Sequence, residues 1–195
     1  MPHSRLHARQ KPLSAVDVLS AAQCLLAALA FAAHKHRDQR RKGSIAPPYI
    51  NHPIAVAQVL ASGGGVGDTD ILMAALLHDT IEDTETTVDE LRQHFGEAVT
   101  AIVLEVTDDK SLRKEQRKAL QIAHAAGLSH AARLVKLADK ISNIRDIAHD
   151  PPDNWPLQRQ QAYFDWAKAV VDQLRDTHPG LEAAFDLAFE RRPAG

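Results

Sequence analysis

Helical spacing dominates this chain, and one segment carries it furthest. Residues 130–149, HAARLVKLADKISNIRDIAH, hold a helix period from end to end. The same segment sets a carboxylate, Asp139, among Leu137, Ala138 and Ile141. A lone charge is costly to bury, so a fold that turns this helix inward must answer Asp139 with a partner.

The other segments read the same way. Residues 15–37 place Val16, Leu19, Leu26, Ala30 and Ala33 near one stripe behind a capping Ser14. GSIAPPY breaks that helix, and His52-Pro53 opens the next over 53–61, proline suiting a first turn. SGGGVGDTD (62–70) is a flexible connector in which Asp68, Thr69 or Asp70 caps a helix over 70–79. Thr87 and Glu90 have capping-box form, and VDELRQHFG ends at Gly96, a C-cap glycine. EAVTAIVLEVT (97–107) has the β-branched content of a strand. Helices on both sides, and the spacing of Ala98, Ile102, Glu105 and Val106, assign it to a helix. A charged loop enters a helix that stops near Gly127, and after PPDNWP two more helices follow, LQRQQAYFDWAKAVVDQLRD and GLEAAFDLAFE. The expectation is an all-α bundle in one domain, 15–190, between a mobile basic tail (1–14) and a C-terminal tail (191–195).

At 195 residues the chain suits one well-buried domain. A formal charge of −2 gives no global field for nucleic acid or an anionic membrane, so neither is expected as a partner. The apolar CLLAALAFAA could imitate a secretory signal, but it continues into the charged HKHRDQRRK, and no run reaches the roughly 18 apolar residues of a membrane span. One cysteine, Cys24, excludes an intramolecular disulfide and fits a reducing compartment, hence the cytoplasm; it reads as a core thiol.

Chemistry gathers in AALLHDTIEDTET (74–86). An apolar helix there ends on His78, Asp79, Glu82 and Asp83. Residues four apart on a helix differ by roughly 40° about the axis, so His78 stands over Glu82 and Asp79 over Asp83. Taken alone this is an exposed acidic helix end. With His52 at a helix entrance and Asp139 in an apolar helix, it becomes a mixed nitrogen and oxygen donor set. Such a set suits Mn2+, Fe2+ or Zn2+ with open positions, octahedral geometry favouring manganese. A cysteine-rich structural zinc site is excluded.

Several ordered blocks then resemble one family: FAAHKHRDQRRKG, PPYINHPIAVAQVL, AALLHDTIEDTETT, HFGEAVTAIVLEVTDDK and LVKLADKISNIRD, with AYFDWAKAVV behind them. The H…HD…D pattern is similar to the HD-domain metal-dependent phosphohydrolases. The blocks resemble the hydrolase domain of RelA/SpoT proteins, and most of all the stand-alone small alarmone hydrolases of the metazoan SpoT homologue type. The resemblance covers roughly residues 20–190. It implies an HD-domain helical bundle and Mn2+-dependent removal of the 3′-pyrophosphate of ppGpp or pppGpp, without a synthetase domain, in a monomer or homodimer. It assigns the metal to His52, His78, Asp79 and Asp139, and the water-activating acids to Glu82 and Asp83. Substrate contacts fall to Arg41, Lys42, Asn143 and Tyr163, with Lys114 and Arg159 as further phosphate contacts. His34, His36, His94, His124, His130, His149 and His178 receive no role. The connector RRKGSIAPPY is longer than the compact turn of the long bacterial proteins.

Two rivals stand beside this reading. The same pocket could remove a ribose phosphate from another nucleotide, such as the 2′-phosphate of NADPH. Alternatively the chain is a catalytically silent nucleotide-sensing HD module, against which the intact Glu82 and Asp83 argue.

Overall fold

A computed structural model describes residues 15–195, with side chains from Ser20 onward. The basic tail, Ser14 and the Val16 and Leu19 side chains lie outside the described residues. Every regular element among those described is helical: α1 Ala15–Lys35, α2 Asn51–Gln58, α3 Thr69–Leu77, α4 Thr80–Asp83, α5 Val88–Val106, α6 Lys114–Ala125, α7 His130–His149, α8 Leu157–Asp172 and α9 Pro179–Phe189. A π-helical turn, Val59–Gly63, extends α2. Residues 97–106 are helical, in line with the reading of that ambiguous segment.

The central helix is α7, which packs against α2, α3, α5, α8 and α9. Ser129 caps it by accepting the Ala132 N–H at 3.2 Å. Leu137, Ile141 and Ile144 are wholly buried with Phe164 and Phe185 from the flanking helices. In a core this tight, Leu137→Ala costs about 2–5 kcal/mol through lost burial and the cavity left behind. Helix α3 is buried all round from Leu72 to Leu77, as expected of a helix with no polar face, and Asp68 caps it through the Asp70 and Ile71 N–H groups.

Three local expectations are corrected. Among the described side chains of α1 the buried ones are Ala28 and Ala32, whereas Leu26 is 64% exposed and Ala30 faces solvent. Cys24 is likewise exposed rather than in the core. The reason is that CLLAALAFAA is apolar around its whole circumference, so its period does not select a face. Second, the helix expected over 70–79 ends at Leu77, and α4 restarts at Thr80 after Asp79 (φ −97°, ψ −3°). Glu82 and Asp83 therefore sit on a separate turn, tied back by Asp83 N–H to the Asp79 carbonyl at 2.8 Å. Third, Gly96 breaks the helical path with φ 80°, but α5 resumes at once instead of stopping. The Thr87 half of the capping box forms, with Glu90 N–H donating to Thr87 Oγ1 at 3.1 Å; the Glu90 carboxylate turns to Lys35 instead.

The chain between α1 and α2 is a strap. Arg40 pairs with Pro48, and Tyr49 N–H donates to the Gln39 carbonyl at 3.0 Å. Its tip is pinned to the end of α7, where Asp150 accepts from Ser44 N–H, Ser44 Oγ and Ile45 N–H. Beyond α9, Arg192 forms two 2.8 Å bonds to Asp165 of α8.

Candidate active site

Three helices and one break bring the donors together. His52 enters from the first turn of α2, His78 and Asp79 from the α3–α4 junction, and Asp139 from α7. The junction explains why adjacent residues can both point inward: a helix continued through 78–79 would place them about 100° apart. Donor atoms of His52, His78 and Asp139 lie within 4.8 Å of one another. Asp79 Oδ2 is 3.2 Å from His78 Nε2 and 3.7 Å from His52 Nε2.

The hydrogen bonds behind the histidines set which nitrogen faces in. His78 Nδ1 lies 2.8 Å from the Ala75 carbonyl, so Nδ1 carries the donated proton and Nε2 points at the cluster. That Nε2 is buried and has no hydrogen-bond partner. His52 Nδ1 meets Ser142 Oγ at 3.3 Å, and its Nε2 is 3.2 Å from Asp139 Oδ1. Two inward imidazole nitrogens and the Asp139 carboxylate, one nitrogen orphaned, fit a divalent cation, with Asp79 beside the two histidines.

The electrostatics agree with that need. Burial holds His52 below its ordinary value. Burial opposes charge on His78 too, but Asp79 and Asp139 outweigh it and push the imidazole up to about 9. Asp79 and Asp139, although buried, are held well below the usual carboxylate range, the first chiefly by His78 and the second by Lys140 and His52.

Glu82 and Asp83 line the same chamber of about 190 Å3. Glu82 Oε2 accepts the Asp108 N–H at 3.0 Å, and burial raises its carboxyl above the ordinary value. Oε1 is left facing Lys110 at 3.7 Å and Arg117 at 4.0 Å. Asp83 is bonded by Lys110 Nζ and touched by Tyr49.

This chamber opens into a cleft of about 510 Å3, the two sharing Arg41, Tyr49, Asp83, Asn143 and Tyr163. Lys42 and Lys114 line the cleft. Arg41 donates to Asn143 Oδ1 at 2.9 Å and to Asp146 at 2.7 Å, and Asn143 in turn donates to Asp139 at 2.6 Å. Tyr163 stands between Trp155 and Trp166, with ring centroids 5.7 and 5.2 Å away. Arg159 is one step removed: it lies over the Trp155 ring at 4.5 Å and does not line the cleft.

Sequence reasoning missed Tyr49, Lys140, Trp155 and Lys110. Tyr49 stood in view inside YINHP, three residues before His52, and Lys140 beside Asp139. Lys140 is buried, 3.0 Å from Asp139 Oδ2 and 4.4 Å from the Trp166 ring. Trp155 sits in a stretch that reads only as punctuation, and no sequence signal aims it at a cleft.

An all-helical bundle that collects two histidines and two aspartates in one buried chamber is an HD-type arrangement. The HD-domain model matches residues 28–163, more than half of the chain. The chain belongs to the HD-domain family, and within it to the group represented by MESH1. It is 53% identical over 170 residues to a Xenopus tropicalis protein named guanosine-3′,5′-bis(diphosphate) 3′-pyrophosphohydrolase MESH1, covering 87% of this chain and 95% of that one. The human protein of that name is 51% identical over 173 residues, covering 89% and 97%. A solved structure described as a metazoan ortholog of SpoT that hydrolyses ppGpp superposes with a TM-score of 0.84 at 44% identity, over 94% of this chain and 98% of that one.

Proposed function

We propose that residues 15–190 form a Mn2+-dependent hydrolase that removes the 3′-pyrophosphate of ppGpp or pppGpp, releasing GDP or GTP and pyrophosphate. The observation that carries this is the two-part cavity: a small acid- and histidine-lined chamber opening into a larger cleft rimmed by cations and aromatics. The names of the relatives support the same substrate.

His52, His78, Asp79 and Asp139 would hold the cation, which supplies Lewis acidity toward water and phosphoryl oxygens. The mixed nitrogen and oxygen donors suit Mn2+, Fe2+ or Zn2+, and octahedral geometry would favour manganese among them. Glu82 is the group placed to take a proton from the attacking water: Oε2 is fixed by the Asp108 N–H while Oε1 carries no hydrogen bond. Its raised carboxyl brings it closer to the acidity that such transfer needs. Asp83 shares the work by orienting the water. Lys42 offsets the charge that develops on the phosphoryl oxygens, Arg41 binds the substrate phosphates in ground and transition states alike, and Asn143 holds Arg41 and Asp139 in one chain of hydrogen bonds. Lys114 faces the outer phosphates. Tyr163 gives the nucleoside a flat surface, and Arg159 contributes through Trp155.

The lone cysteine supports action in the cytoplasm; no helix among the described residues is long and apolar enough to cross a membrane. The deciding experiment incubates purified protein and Mn2+ with ppGpp, with NADPH in parallel and Asp79→Ala as the blank. GDP plus pyrophosphate, absent from the blank, is the expected result. Phosphate from NADPH with no product from ppGpp would overturn the substrate and keep the metal site. Silence on both would leave a sensor.

A further inference from the structure

Helix α4 spans only Thr80–Asp83, a single turn. One turn of helix has no stability of its own, so whatever aims Asp83 must come from outside it. Three side chains do. Gln39 Nε2 donates to the Asp83 carbonyl at 2.6 Å, and Gln39 Oε1 is itself held at 2.7 Å by His36 Nδ1. Lys110 Nζ bonds Asp83 Oδ1. The Tyr49 hydroxyl lies 2.7 Å from Asp79 Oδ2 and 3.2 Å from Asp83 Oδ2, so it stands between a metal-set carboxylate and an acid-pair carboxylate.

We propose that Tyr49 is a positioning residue for the hydrolytic step, fixing Asp83 against Asp79 through its one hydroxyl; this rests on the acid-pair reading above. A phenol carries one hydrogen, so it serves the two carboxylates alternately. Without it, two carboxylates would face each other across a gap and swing apart. The ring is held for this task. The His36 ring lies 4.8 Å away at 30°, the Arg41 guanidinium is 5.6 Å from the Tyr49 centroid, and His52 N–H donates to the Tyr49 carbonyl at 2.9 Å. Lys110 holds one Asp83 oxygen, and Tyr49 takes the other whenever its hydrogen turns from Asp79. Asp83 therefore orients and holds charge, and Glu82 Oε1 remains to move the proton.

Tyr49→Phe removes only the hydroxyl. The expected result is a kcat lower by about 10–100-fold, the usual scale for a lost supporting hydrogen bond at a metal site. KM for ppGpp and Mn2+ affinity by titration calorimetry should stay within about twofold, and the thermal midpoint close to that of the parent. In an Asp83→Asn background, Tyr49→Phe should cost nothing further, because the residue acts through Asp83. Losses that multiply in the double variant, or a Mn2+ affinity that falls in step with kcat, would show that the hydroxyl serves Asp79 instead and overturn the proposal. Full kcat in Tyr49→Phe with a loss in Asp83→Asn would overturn it and leave the acid pair standing. Full kcat in Asp83→Asn would remove the acid pair and this role together.

Discussion

The His–Asp chamber and the outer cleft are neighbours built by different means. In the chamber, His52, His78, Asp79 and Asp139 stand on helices or at a helix junction packed into the core, and both histidines are almost fully buried. In the cleft, Lys42, Pro152 and Trp155 come from connecting segments, and Ile45, at the strap tip near Lys42, is 66% exposed. Packing fixes the first set. The second is fixed by individual hydrogen bonds, such as Trp155 N–H to the Pro152 carbonyl at 2.9 Å and, beside Lys42, those of Asp150 to Ser44 and Ile45. The chamber should therefore answer to substitution in all-or-none fashion, and the cleft by degrees.

The largest effect belongs to the chamber. Asp79→Ala should abolish both Mn2+ binding and turnover, measured by calorimetry and product assay; turnover without it would dissolve the contrast. Next comes Glu82→Gln, which should keep the metal and lose kcat by about 10²–10⁴. It carries a second signature. Burial raises the folded-state pKa of Glu82, so the folded protein favours the protonated form and loses stability as pH rises from the ordinary glutamate value through the raised one. The neutral glutamine removes that loss, so metal-free Glu82→Gln should melt higher than the parent at pH 7 and equally at low pH. An unchanged melting difference across pH would contradict the burial argument.

Cleft changes should be milder. Arg41→Ala should raise KM about tenfold with kcat largely kept, if the arginine binds ground and transition states alike. A collapse of kcat would place it inside the chamber's logic. The smallest effect is at the strap. Gly43 has φ 142°, and a Cβ there would run into the Asp150 carboxylate. Gly43→Ala should loosen the strap, raising KM a few-fold and lowering stability by about 1 kcal/mol or more, with kcat unchanged.

The same contrast explains what the amino-acid order reveals. Asp139 was legible because a charge inside a periodic apolar helix demands a partner, and His78-Asp79 because an apolar helix ended abruptly in acids. The role of Tyr49 was not, since aromatic residues beside a proline turn are commonplace and its hydroxyl finds its carboxylates 30 and 34 residues away. The buried face of α1 was misread because an alanine- and leucine-rich run has no polar side to define its back. The break at 78–79 was hidden by residues that each tolerate a helix.

One helix spans both regions. Asp139, Asn143, Asp146 and Asp150 follow one another at steps of four, three and four, and they touch in turn the metal set, Arg41, Arg41 again and the strap. The ten steps from Asp139 to His149, the last residue of α7, rise roughly 15 Å, so α7, with Asp150 just past its end, acts as a ruler laid from the reacting end of the site to its mouth. The reach between cation and strap is then a matter of helical pitch. One residue inserted between Asp139 and Asp150 would turn every outer mark by about 100° off the cleft, whereas lengthening the strap would leave the scale intact.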